Sequence, residues 1–281
     1  MRRVFIRFYA NNVKFATIKS IEKFVMPKIS AVIITYNEEM FIGRCLASLD
    51  GVADEIVVVD SFSTDRTEEI CKQYNVRFIK HAFEGYRDQK NFAVKQATYR
   101  NILSLDADEA LSDKLRESII SIKSNWKYDS YLYNRRNNYC GKWINYSGWY
   151  PDRQLRLFKS HEGSWGELNL HERFILSNGS SIGRLEGDLL HWPFSTVEDH
   201  VEKMGRFAII GAQEFHRAGR KSYFFSPYLH GFWGFFRTYF INGGFLDGRN
   251  GFLICSLYAK SAFKKYRHLR QLNIKKAEPQ K

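Results

Sequence analysis

With 281 residues, 44% hydrophobic and 26% charged, the chain has an ordinary globular composition and is long enough to bury a substantial core. Its net charge of +13 sits at the ends: residues 1–28 carry seven Lys/Arg against one acid, residues 260–281 carry eight against one, and the residues between balance at 28 and 28. A neutral body argues against a nucleic-acid reader, whose cations would run along the fold, and the basic ends favour an anionic membrane surface.

Residues 1–26 alternate Arg/Lys with apolar residues and contain no run near the roughly 20 needed to span a bilayer. Two readings stay open: a basic amphipathic segment lying on a membrane, or a leader ahead of a start at Met26, just before Pro27 and Lys28. The four cysteines (Cys45, Cys71, Cys140, Cys255) have no metal or redox spacing and read as free thiols in a reducing compartment.

From Ile29 the pattern alternates strand and helix. Ile29 to Thr35 is an almost unbroken apolar run, as in a parallel strand buried on both faces. Phe41, Ile42, Cys45, Leu46 and Leu49 follow at helical spacing, and Glu55 to Asp60 is a second strand. Asp65-x-x-Glu68 reads as a capping box opening the next helix. Val76 to Ile79 predicts a third strand, Asp88 to Thr98 a helix, and Asn101 to Leu105 a fourth strand ending in Asp106-Ala-Asp108-Glu109. Repeated units of this kind predict a mostly parallel sheet flanked by helices.

Three strand ends are polar: Thr35-Tyr-Asn-Glu38, Asp60-Ser-x-Ser-Thr-Asp65 and Asp106-Ala-Asp108. In an open α/β sheet the ligand sits outside the carboxyl ends of the strands, so this edge reads as a nucleotide site. Alternation would place Asp106 and Asp108 on one side of the chain, with oxygen ligands suited to Mg²⁺ or Mn²⁺. There is no G-x-G-x-x-G or Walker loop, which leaves a divalent ion as the counter-charge for a diphosphate, with Lys90 and Arg87 adding positive charge.

Further on, Val197, Val201, Met204, Ala208, Gly211 and Phe215 predict a packing helix stopped near Gly219. Tyr223 to Phe240 is crowded with aromatics but broken by Pro227, His230 and Arg237, which argues against a spanning helix. It reads either as a headgroup-layer segment followed by the basic Lys260 to Arg270, or as an aromatic helix pair covering an acceptor cleft.

Val32-Ile-Ile-Thr-Tyr-Asn-Glu38, Glu55 to Thr67, Gln89-Lys-Asn-Phe-Ala93 and Leu103 to Glu109 resemble the family 2 glycosyltransferases of GT-A fold. Gly148 to Phe158, His171-Glu-Arg173, Leu189-Leu-His191 and Gly244 to Gly248 resemble the subgroup that includes lipopolysaccharide-core β-1,4-glucosyltransferases. The resemblance covers roughly residues 28–270. It implies a GT-A, Rossmann-like α/β fold over 28–195, a C-terminal helical, aromatic and basic membrane-proximal region over 196–281, and a basic extension over 1–27.

It also implies roles. Thr35, Tyr36 and Glu38 would line the nucleoside pocket, Asp60 would accept a hydrogen bond from uracil or ribose, and Asp106 would contact ribose or metal. Asp108 would ligate the metal, with His191 completing its shell, and the Gly148 loop would contact the donor sugar. Lys90 stands where the family usually has Arg, which removes bidentate recognition but keeps the charge. The attacking sugar hydroxyl needs a general base, Glu172 in preference to Asp152, and one in-line displacement inverts the anomeric centre. The processive Gln-x-x-Arg-Trp motif is missing, which implies one transfer per encounter. The implied enzyme is peripheral on the inner face of the cytoplasmic membrane and moves one hexose, such as glucose, from a UDP-type donor to a lipid-linked or lipopolysaccharide-core acceptor. Two rivals stand beside it: a nucleotidyltransferase, though Tyr36-Asn-Glu-Glu39 replaces the Gly-rich basic loop it would need, and a non-catalytic membrane scaffold.

Overall fold

The computed structural model describes residues 26–168 and 171–277, so both readings of the basic N-terminal stretch lie outside the described residues. Strand β1 (Ile29–Thr35) is buried along its whole length and forms the centre of the parallel half of the sheet. It pairs in parallel with β2 (Glu55–Asp60) on one side and β4 (Asn101–Asp106) on the other, and β3 (Arg77–Lys80) adds outside β2. Side chains alternate along β1, so Ile29, Ala31 and Ile33 enter one core while Val32 and Ile34 enter another. The first core takes Ile42 and Leu46 of α1 (Ile42–Ser48), Cys71 of α2 (Thr67–Cys71) and Leu115 and Ile119 of α4 (Asp113–Lys123). The second takes Ala93 of α3 (Tyr86–Gln96). Helices on both faces explain why β1 has no polar alternation.

Beyond β4 the sheet becomes mixed. β5 (Glu109–Leu111), β6 (Ser130–Tyr139), the short β7 (Lys142–Trp143), β8 (Asp152–Lys159) and β11 (Ile182–Phe194) extend it in the order β3-β2-β1-β4-β8-β6-β11-β5. β8 runs antiparallel to β4 and to β6, β11 parallel to β6, and β5 antiparallel to β11. β9 (Gly163–Leu168) and β10 (His171–Leu176) form a separate hairpin. It is held to the sheet by Phe174, stacked on Phe158 with ring centroids 3.5 Å apart, and by Trp165, edge-on to the same Phe158 ring. The expected α/β sheet flanked by helices is present, with parallel pairing confined to β3-β2-β1-β4 and to β6-β11.

The predicted packing helix is α5 (Val197–Arg217), opened by a Thr196/Asp199 capping box and followed by Gly219 at φ +71°. α6 (Ser226–Phe236) runs through a π turn, Arg237–Ile241, and a 3₁₀ turn, Gly244–Asp247, into α7 (Gly248–Ala277), which packs on both α5 and α6. No helix among the described residues is long and apolar enough to cross a membrane. Asp65 does not cap α2, whose N-cap is Arg66 without a side-chain bond; its carboxylate instead accepts from the Glu39 N–H, at 3.0 Å, and from Thr67.

Candidate active site

Register brings the polar strand ends level. Thr35 pairs with Asp60 and Ile34 with Asp106, so the β1, β2 and β4 carboxyl ends open on one edge. The first two loops are laced together there. Asn37, at φ +55°, donates its N–H to Ser63 Oγ at 2.8 Å and accepts the Thr64 N–H on Oδ1 at 2.8 Å, while the Glu38 N–H reaches Thr67 Oγ1 at 2.8 Å. A left-handed conformation is one that Asn tolerates through its short polar side chain. Asp60 is fully buried; its carboxylate accepts the Ser63 N–H at 2.9 Å and the Ser63 hydroxyl. Its oxygens thereby order the loop that follows β2. Tyr36 is exposed, and Thr35 is buried with its hydroxyl unpartnered. Burial, reinforced by Asp108 and Asp65, pushes the Glu38 carboxyl up to about 8.

The two aspartates of the acidic turn diverge, which corrects the expectation from alternation. β4 ends at Asp106, residues 107–108 form a tight turn, and β5 begins at Glu109, so the strand period stops where the motif needs it. Asp106 faces cations: Lys90 Nζ at 2.9 Å and Arg156 at 3.1 Å. Burial works to raise its pKa, but Lys90 and Arg156 overcome that and hold the carboxyl well below the usual range. Lys90 is 1% exposed and also lies 3.6 Å from Glu172. Glu109, equally buried, accepts the Asp106 N–H at 3.0 Å and pairs with Arg135 at 3.3 Å and Arg156 at 3.5 Å. Arg135 in turn grips Asp152 at 2.8 Å, and Gln154 donates to the same carboxylate at 2.7 Å. Arg87, a sequence candidate for added charge, pairs with Asp88 at 3.0 Å.

Glu109, Arg135 and Arg156 are not among the residues to which the sequence assigns a role. The available signal was an arginine set among Leu155, Leu157 and Phe158 in a strand: a buried guanidinium requires a buried carboxylate.

Asp108 turns toward β11. Its Oδ2 lies 3.3 Å from His191 Nε2, and the His191 ring is oriented by Nδ1, 2.6 Å from Asn137 Oδ1. If Nδ1 carries the proton, it donates to the amide oxygen and Nε2 keeps its lone pair toward Asp108. A carboxylate oxygen and a ring nitrogen side by side, the latter fixed from behind, suit two adjacent positions of a divalent cation's shell. The donor set therefore fits Mg²⁺ or Mn²⁺ through Asp108 and His191, while Asp106 is ion-paired to Lys90 and Arg156 and its buried Oδ1 has no hydrogen-bond partner. No group of three or more His, Cys, Asp or Glu able to hold a metal occurs among the described residues, so a diphosphate and water would supply the other oxygens.

Beside His191 opens a cavity of about 330 Å³ lined by Arg135, Asn137, Gly148, Trp149 and Asp152. The loop leading into Gly148 is pinned from the C-terminal region. Asp247, buried, accepts the Asn145 and Tyr146 N–H groups at 3.1 Å and the Ser147 hydroxyl at 2.9 Å. Gly148 sits at φ +78°, and a Cβ there would meet Asn242 Nδ2 at 2.7 Å.

Residues 30–177 match the sequence profile of Glycosyl transferase family 2. An uncharacterized glycosyltransferase of Rickettsia typhi is 30% identical over 264 residues, covering 89% of each chain. The lipopolysaccharide core biosynthesis glycosyltransferase LpsC of Rhizobium meliloti is 29% identical, over 91% of this chain and 97% of LpsC. Among solved structures, S. aureus TarS 1-349 in complex with UDP-GlcNAc aligns at TM-score 0.42 and 16% identity over 90% of this chain and 93% of that one. With more than half its length matching the family profile and a 30%-identical relative along most of the rest, the chain belongs to glycosyl transferase family 2.

Proposed function

We propose that this glycosyltransferase moves a single hexose, such as glucose, from a UDP-type donor to a lipid-linked or lipopolysaccharide-core glycan, with inversion, at the inner face of the cytoplasmic membrane. Residues 28–195 are the catalytic unit and 196–281 the membrane-proximal one. The observation that carries the reading is Asp108 and the oriented His191, 3.3 Å apart beside a cavity at the carboxyl edge of the sheet. The LpsC likeness supports a lipopolysaccharide-core acceptor.

Asp108 and His191 would hold Mg²⁺ or Mn²⁺, which supplies a Lewis acid for the departing diphosphate. Lys90, backed by Asp106, adds fixed positive charge on the same edge. The acceptor hydroxyl must lose its proton as it attacks, and Glu172 is the better placed of the two candidate bases. It is tied only loosely, to Lys90 at 3.6 Å, whereas Asp152 is already engaged by Arg135 at 2.8 Å and Gln154 at 2.7 Å. A single base opposite the leaving group gives a single displacement and therefore inversion.

The test is calorimetric binding of UDP with and without Mn²⁺, to wild type and Asp108→Asn. Metal-dependent binding that falls at least about tenfold in the variant is expected from losing one of two protein ligands. Equal binding without metal would remove the role given to Asp108, and no nucleotide binding under either condition would overturn the donor site.

A further inference from the structure

Helix α6 is built inside out. Pro227, Gly231, Gly234 and, a turn later, Thr238 are its buried residues. The glycines let it settle on α7, where added Cβ atoms would meet Ala259 O at 3.4 Å and the Tyr258 ring at 3.2 Å. The bulky side chains are on the outside: Tyr228, Leu229, Phe232, Trp233, Phe236 and Phe240 range from 38% to 70% exposed. A water-facing helix has the opposite arrangement. Some rings do pack between the helices, Tyr228 on Phe263 and Phe235 on Phe252, but the larger set faces outward.

The rings form one connected strip. Phe232 contacts Phe236, Phe236 contacts Phe240, Phe240 contacts Tyr239, and Tyr239 contacts both Phe245 and Phe252 of the following turns. Ile241 and Leu246, each more than half exposed, continue it. An apolar surface of this extent marks an interaction face.

Its electrostatic frame identifies the partner. Residues 218–277 contain eleven Lys/Arg and one acid, Asp247, and that acid is buried against the 145–147 loop. Lys221, Arg237, Arg249 and Lys260 are exposed, and there is no exposed carboxylate among these 60 residues. A protein partner would account for the rings but not for a frame of one sign. An anionic leaflet accommodates both, the rings at headgroup depth and the cations against phosphate.

We propose that the outer face of α6, the π and 3₁₀ turns and the first turns of α7 is a monotopic anchor seated in the interfacial layer of an anionic bilayer. This deepens the membrane placement proposed above and rests on it. The same turns that carry Ile241, Phe245 and Leu246 also carry Asn242 and Asp247, which fix the Gly148 wall of the cavity beside His191. The Ser147 N–H donates to Asn242 O at 3.1 Å. The anchor therefore sets that cavity at the membrane surface, within reach of a lipid-linked acceptor.

The experiment is flotation of the full chain with phosphatidylcholine vesicles, with and without phosphatidylglycerol. It compares wild type with the triple variant Phe232→Ser, Trp233→Ser, Phe236→Ser, with UDP binding and solution mass measured in parallel. Expected are flotation that needs the anionic lipid, quenching of Trp233 by brominated lipid, and at least about a tenfold drop in vesicle partitioning for the triple variant with UDP binding kept. Absence of flotation by wild type, or equal flotation by the triple variant, would overturn the proposal. So would a wild-type dimer that the variant dissociates, because a second copy would then cover the strip. Loss of UDP binding in wild type would refute the donor site and leave the vesicle result standing on its own.

Discussion

Arg156→Met tests the buried charge network directly. Arg156 is 4% exposed, sits 3.1 Å from Asp106 and 3.5 Å from Glu109, and lies over the Trp165 ring at 5.1 Å. Methionine keeps most of the apolar stem, so the change removes charge more than volume. Breaking a buried ion pair by deleting one partner typically costs about 3–5 kcal/mol. Asp106 retains Lys90 at 2.9 Å and Glu109 retains Arg135 at 3.3 Å, which places the expected loss near the lower end, about 3 kcal/mol. Urea unfolding with an unchanged m-value measures it, and the double variant with Asp106→Asn should lose less than the two single losses added, by about 1–3 kcal/mol.

The acid limb supplies a second readout. A carboxylate with a depressed folded pKa stabilises the fold above its unfolded pKa and loses that contribution as pH falls through the folded one. With Arg156 gone, Asp106 protonates at higher pH, so acid unfolding of the variant should begin earlier. A loss under about 1 kcal/mol, or strict additivity with Asp106→Asn, would refute the network as described.

Three further outcomes follow from the geometry. Gly148→Ala forces a side chain into φ +78° and toward Asn242, which should cost about 1–2 kcal/mol in urea titrations; Asn242→Ala should not restore it, because the backbone conformation remains. Glu38, raised from 4.5 to about 8, holds its proton when folded after the unfolded chain has lost it, so stability should fall as pH rises between those values. Allowing for solvent screening the fall is about 1–2 kcal/mol, and Glu38→Gln should flatten it; an unchanged slope in the variant would assign the effect to another group. His191→Gln should weaken Mn²⁺-dependent UDP binding about 10–100-fold while leaving metal-free UDP binding unchanged, and equal weakening of both would remove His191 from the metal site.

The parallel half of the fold was legible because its signal is local. β1 is apolar on both faces since helices cover both, and the polar residues ending β1, β2 and β4 fall level through register alone. The site was legible only as a set of residues. Which side chain meets which depends on β6, β8 and β11, whose pairings bring Arg135, Arg156 and His191 from 26 or more positions away. No period or spacing in the chain records those contacts. The aromatic segment shows the same limit: its composition was plain, but whether the rings point in or out depended on Gly231 and Gly234 taking the inner face.

The acidic turn shows how one short motif can serve two ends. Had the strand continued, Asp106 and Asp108 would point the same way, and two carboxylates with no cation between them would repel. The turn at 107–108 separates them. Asp106 meets Lys90 and Arg156, with Glu109 accepting its backbone N–H, while Asp108 meets His191. The ion-paired set thus includes three cations, Lys90, Arg135 and Arg156, against Asp106, Glu109 and Asp152, with Lys90, Arg156 and Glu109 buried. On the reading proposed above, Asp108 would be the carboxylate left for a divalent ion, with burial raising the pKa of the neighbouring Glu38. On this argument Asp106→Asn should act first on stability and Asp108→Asn first on metal-dependent nucleotide binding, a split that two acids sharing one metal would not produce.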